Sequence, residues 1–187
     1  TFVINAFKKI IIVAALCFLA VPVFDVAAAN VGDLVNFNVD ENFEKDDRAQ
    51  VQAVLVKTTA NLYFYLEKSW WDGQVPVKQQ QVLANLDSLS AEFSNNMYPN
   101  LTSIFGPEWR PGVDGDPKIT LLLHNMKEGL GGYYRSTDEY VKLQLPASNE
   151  REMVYLPLSE VDNILKLKVF LAHEFVHLIT FNQKDRI

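Results

Sequence analysis

Two histidines four residues apart, with a glutamate beside the first, are the residues of this chain best suited to chemistry: His173-Glu174-Phe175-Val176-His177. On a helix, positions i and i+4 project from the same face about one turn apart, so both imidazoles can reach one metal ion. Two of the usual four positions around zinc would be filled in this way. Glu174 falls beside the metal instead of on it, where it can take a proton from metal-activated water and pass it to a leaving amine. The pattern therefore predicts Zn2+ as cofactor, His173 and His177 as ligands, Glu174 as catalytic base and peptide-bond hydrolysis as the reaction. The plainer alternative is a pair of ordinary helix histidines next to a solvated glutamate. Two of the chain's three histidines fall in the pattern, which favours the metal reading. The third, His124, follows a short apolar run and reads as structural.

Such a helix needs a support, and the flanking Phe170, Leu171, Phe175, Leu178 and Ile179 would bury it in a core. Its expected span is about Glu160 to Phe181, with Ser159 placed as N-cap and Asp162 three residues later. Upstream, Val51, Val54 and Val56, then Leu62, Phe64 and Leu66 alternating with Tyr63, Tyr65 and Glu67, predict two paired strands with a turn near Thr59-Ala60-Asn61. Trp70-Trp71-Asp72-Gly73 closes that segment with a turn signal. Val82, Leu83, Leu86, Leu89, Phe93 and Met97 recur at helical intervals and predict an amphipathic helix that ends before Pro99 and covers one sheet face. Short strands are expected at Ile119 to Leu123 and at Met153 to Leu156, with a glycine turn at Gly129, Gly131 and Gly132 between them. The fold class is α+β: a mixed β-sheet packed against an amphipathic helix and a C-terminal active-site helix.

The chain has 187 residues, 49% hydrophobic and 21% charged, with a net charge of -6, which describes one globular domain and argues against a nucleic-acid partner. Its N-terminus differs in kind. Lys8-Lys9 precede an apolar run from Ile10 to Phe24 that ends at Ala27-Ala28-Ala29, the plan of a signal peptide cleaved after Ala29. A run of about fifteen residues is short of the roughly twenty that span a bilayer, so no stable membrane anchor is expected after cleavage. The sole cysteine, Cys17, would leave with the signal. The expected organisation is a signal peptide at 1–29, a mobile acid-rich leader at 30–48, and the N-terminal part of a zinc metallopeptidase domain at 49–187, secreted to the extracellular space. The start at Thr1 instead of Met reads as an unnatural one.

The third zinc ligand sets the subclass. In the metzincin pattern a glycine stands three residues after the second histidine and a ligand six after it; here those positions are Thr180 and Gln183, and Asp185 is out of step. The other common arrangement places a glutamate on a later helix. Leu171 to Ile179 followed by Phe181-Asn182-Gln183-Lys184, with Asp114-Gly115-Asp116, Gly131-Gly132-Tyr133 and Ser148-Asn149-Glu150 upstream in that order, resembles the hyicolysin-like bacterial zinc metallopeptidases, distant relatives of thermolysin and the immune-inhibitor peptidases. The resemblance implies a zincin of gluzincin type, a secreted endopeptidase whose ligand glutamate has no counterpart in this sequence. The expectation is thus a C-terminally truncated fragment. Val176 stands where that family often has glutamine.

The same resemblance implies a protein or peptide substrate laid along an edge strand, supplied by Gly132-Tyr133-Tyr134 in preference to Met153 to Leu156; ordinary strand packing of Tyr133 and Tyr134 is an equal alternative. Asp114-Gly115-Asp116 reads as an acidic turn before a strand, with a calcium site as the lesser alternative. A different class of function is a catalytically inactive, secreted zincin-fold binding protein, with Trp70, Trp71 and Trp109 as contact surface.

Overall fold

The computed structural model describes residues 29–184; the expected signal segment and Cys17 lie outside them, apart from Ala29. Five strands form one sheet in the order β1 (Leu34–Asn38), β2 (Gln50–Thr58), β3 (Leu62–Glu67), β4 (Ile119–His124) and β5 (Met153–Pro157). The β1/β2 and β2/β3 pairs are antiparallel, whereas β3/β4 and β4/β5 are parallel. A tight turn at Thr59-Ala60-Asn61 joins β2 to β3, and the parallel steps are made by helical or long loop crossovers, as parallel pairing requires.

Leu62, Phe64 and Leu66 point to one face of β3 and Tyr63 and Tyr65 to the other, as period two demands. Both faces are buried. The first packs with Leu121, Leu123, Val154 and Leu156 against two helices, α2 (Pro76–Glu92) and α4 (Ile164–Lys184). The second packs with Phe37, Leu55, Tyr133 and Tyr155 under the loops. A five-residue helix α1 (Lys68–Asp72) occupies the expected turn after β3, and Trp70 and Trp71 are partly buried against the helix-side core, which limits them as a contact surface.

Three expectations about elements require correction. Residues 30–48 are not a mobile leader: they carry β1, whose Phe37 is buried at the centre of the second core, and Glu44, buried in an ion pair with Arg48. The predicted helix does not end before Pro99. It passes without a break through a π-helical turn at Phe93–Met97 into α3 (Tyr98–Phe105), with Pro99 just after that widened turn, where the regular hydrogen-bond ladder is already interrupted. Finally, α4 begins at Ile164 and not near Glu160. Ser159 lies in a 3-10 turn, Leu158–Glu160, and Asn163 caps the helix by accepting the Lys166 amide at 3.3 Å.

Candidate metal centre and cleft

Helix α4 is held by Leu167, Leu171, Phe175, Leu178 and Ile179, all fully buried against the sheet and α2. Phe175 is the anchor nearest the motif, its ring 5.0 Å from Phe93 and 5.8 Å from Tyr98. That packing turns His173 and His177 to the open side, where both are exposed, and leaves Glu174 only 7% exposed between them and the sheet edge. The two Nε2 atoms lie 3.2 Å apart. Two nitrogens bound to one tetrahedral zinc are separated by about 3.3 Å, given Zn–N distances of about 2.0–2.1 Å. The imidazoles are thus already spaced for a shared ion, and the donor atoms of His173, Glu174 and His177 lie within 4.8 Å of one another. Burial pushes the Glu174 carboxyl above its ordinary range, and the neighbouring His173 offsets part of that rise.

Gly132, Tyr133 and Tyr134 line the same cleft, about 310 Å3 in volume, with Phe43, His173, Glu174 and His177. Tyr133 bridges to β5 in antiparallel fashion: its amide donates to the Tyr155 carbonyl at 3.1 Å, and the Tyr155 amide donates back at 3.0 Å. The segment is therefore the outermost strand-like piece of the sheet, and it covers Met153 to Leu156 at Tyr155. Because Tyr133 spends both backbone groups inward, the pleat turns those of Gly132 and Tyr134 outward along the cleft. The two glycines before Tyr133 are there for close approach. A Cβ on Gly131 would sit 2.8 Å from the Phe170 ring, and one on Gly132 would meet the Tyr155 carbonyl oxygen at 2.9 Å and Glu174 Cγ at 3.2 Å.

The arrangement is of the zincin type. This zincin-type chain carries the set typical of zinc metalloendopeptidases, assembled in one cleft from residues that sequence alone had picked out. No family model matches the chain. It is similar to the neutral metalloprotease ShpI of Staphylococcus hyicus, 30% identical over 111 residues. The match covers 52% of this chain and 24% of the length of that relative.

Other residues singled out by sequence fall outside the cleft. His124 is fully buried, its Nε2 3.1 Å from the Tyr133 hydroxyl, and burial lowers it to about pKa 4, so it supports the edge segment as a neutral ring. Asp114-Gly115-Asp116 is an acidic turn: Asp114 accepts the Asp116 amide at 2.8 Å, and Asp116 accepts the Lys118 amide at 3.0 Å and the Tyr63 hydroxyl at 2.7 Å. Sequence reasoning missed two contributors. Phe43 lines the cleft from the supposed leader, and a buried pair of carboxylates, Glu139 and Glu152, lies beside Asn182 near the end of α4. An aromatic residue in an otherwise polar stretch was the available signal for Phe43; the glutamates gave none, since glutamate is rarely buried.

Proposed function

We propose that the chain provides the catalytic helix and substrate-aligning edge of a secreted zinc-dependent endopeptidase of the hyicolysin-like group, with a glutamate as third ligand. The observation that carries this reading is the 3.2 Å spacing of the His173 and His177 nitrogens beside a buried Glu174. When bound there, zinc supplies Lewis acidity and lowers the pKa of a coordinated water. Glu174 would take the proton of the attacking water and return it to the departing amine. Gly132 and Tyr134 offer outward backbone groups to an extended peptide, and the absence of a Cβ at Gly132 lets this edge lie against Glu174. The 30% identity to ShpI supports the same reading. Secretion is supported by the basic, apolar and alanine-rich plan of the first residues, and no helix among the described residues is long and apolar enough to cross a membrane.

The deciding experiment is Glu174→Gln, read by hydrolysis of a quenched peptide and by zinc content. Activity is expected to fall by about 10² to 10⁴-fold with zinc unchanged. Hydrolysis that survives the substitution would remove Glu174 as the base, and zinc content left unchanged by His173→Ala with His177→Ala would remove those two residues as its ligands.

A further inference from the structure

A group of buried oxygens that the His-Glu-His helix does not use gathers near the far end of α4. Glu139 is 4% exposed, and neither of its carboxylate oxygens has a hydrogen-bond partner among the described residues. Glu152 is 2% exposed; its Oε1 accepts the Val113 amide at 2.9 Å, while its Oε2 has no partner. The hydroxyl oxygen of Tyr134 is likewise buried with none, and the acids whose charge reaches it are Glu139, Asp138 and Glu152. Asn182, in the last turn of α4, lies beside Glu139. Four orphaned oxygens thus come from the edge segment, from the 3-10 turn Ser136–Glu139 that follows it and from the residue before β5.

The surroundings hold these groups in place without satisfying them. Gly112 has φ +94, and a Cβ there would lie 1.7 Å from Glu152 Oε2, so the loop grips that carboxylate only with glycine at this position. The neighbouring charges are engaged elsewhere. Asp138 accepts the Tyr155 hydroxyl at 2.5 Å and the Asn149 amide at 2.9 Å, and Asp114 accepts the Asp116 amide at 2.8 Å. Arg151 acts on Asp114, and its guanidinium lies over the Phe37 and Tyr65 rings at 5.3 and 5.9 Å. Two carboxylates buried side by side are costly unless a positive charge joins them. A shared proton links one oxygen of each glutamate, but it leaves the second Glu139 oxygen and the Tyr134 hydroxyl unserved. A calcium ion takes about six to eight oxygen ligands and engages all four at once. Oxygens without nitrogen or sulfur favour it over zinc, and the carbonyl end of α4 favours a cation nearby.

We propose that Glu139 and Glu152, with the Tyr134 hydroxyl, bind a calcium ion beside Asn182 that ties the edge segment to the end of the motif helix. This site is separate from the histidines and does not depend on peptide hydrolysis. The chain is stripped with a chelator and given one equivalent of zinc. Calcium is then titrated by isothermal calorimetry and by melting temperature. One calcium ion per chain is expected, with a dissociation constant below about 10⁻³ M. A hundredfold excess over that constant should raise the melting temperature by roughly 5–10 °C. Magnesium should bind at least about tenfold more weakly, since it gives up its waters reluctantly. Glu139→Gln and Glu152→Gln should each abolish both the heat of binding and the shift. Glutamine keeps the shape of a protonated carboxyl, and melting curves without calcium show that each variant is folded. Asp40→Asn, in the acidic stretch before β2, should change neither readout. A chain that binds no calcium overturns the site and leaves a shared proton between the glutamates. Binding that survives both glutamine variants, or equal affinity for magnesium, overturns it too. Failure to take up zinc counts against the histidine site alone, because the calcium titration still decides this one.

Discussion

At Gly132 the backbone of the edge segment and the side chain of Glu174 come closer than any other residue would permit. Gly132→Ala places a methyl 2.9 Å from the Tyr155 carbonyl oxygen, a backbone atom that cannot swing away, and 3.2 Å from Glu174 Cγ. Overpacking of this kind costs about 1–3 kcal/mol. The expected outcome is a lower melting temperature together with a loss of peptide hydrolysis of about tenfold or more, since the edge and the base are pushed apart. Calorimetry and a peptide assay on the same preparation check both halves. Gly131→Ala meets the edge of the Phe170 ring instead, a side chain that can rotate, so a smaller loss is expected there. The motif residues themselves were legible in the chain because helical spacing is a local property. The close approach that requires Gly132 was not legible, because in sequence it reads as part of a glycine turn with Gly129 and Gly131.

Among the elements, α4 carries the site and its position depends on one buried stripe. Phe175 lies between the motif histidines in sequence but faces the opposite way, into Phe93 and Tyr98. Phe175→Ala is expected to destabilise the protein by about 3–5 kcal/mol, measured by urea unfolding, and to weaken zinc binding in equilibrium dialysis because the helix loses its fixed rotation. Phe175→Leu should retain most of both. Helix α4 was expected from its periodicity, and its actual start at Asn163 and Ile164 shows how capping overrides a pattern that continues upstream. Strand β1 was not expected. Leu34-Val35-Asn36-Phe37-Asn38 alternates over only five residues with asparagine at two of them, and Leu34 is 51% exposed, so nothing local distinguishes it from a loop. Pairing with β2 from Leu34↔Val54 to Asn38↔Gln50 is what makes it a strand.

For the molecule as a whole, the buried carboxylates set the dependence of stability on pH. Glu139 and Glu152 are 4% and 2% exposed, and burial together with their mutual proximity holds Glu139 well above the usual carboxylate range; burial, aided by Asp114, raises Glu152. A carboxyl whose folded pKa is raised contributes its full stability below the unfolded value and loses it as pH rises through the folded one. His124 acts in the opposite sense: lowered to about 4 from 6.5 by burial, it costs stability as pH falls through that interval. The melting temperature is therefore expected to peak in mildly acidic solution and to fall toward pH 9, and Glu139→Gln should flatten the alkaline fall. A scan of melting temperature against pH for both proteins checks this. The sequence by itself determined the helix of the His-Glu-His motif, the paired strands β2 and β3, the strands β4 and β5 and the α+β class, because helical and strand periodicity and a five-residue motif are written in near neighbours. Only the tertiary structure decided that Phe43 and Tyr133 would meet and that Glu139 would be buried against Glu152. Those contacts join residues far apart in the chain, and they exist only because burying both faces of the sheet brings the loops over its second face together.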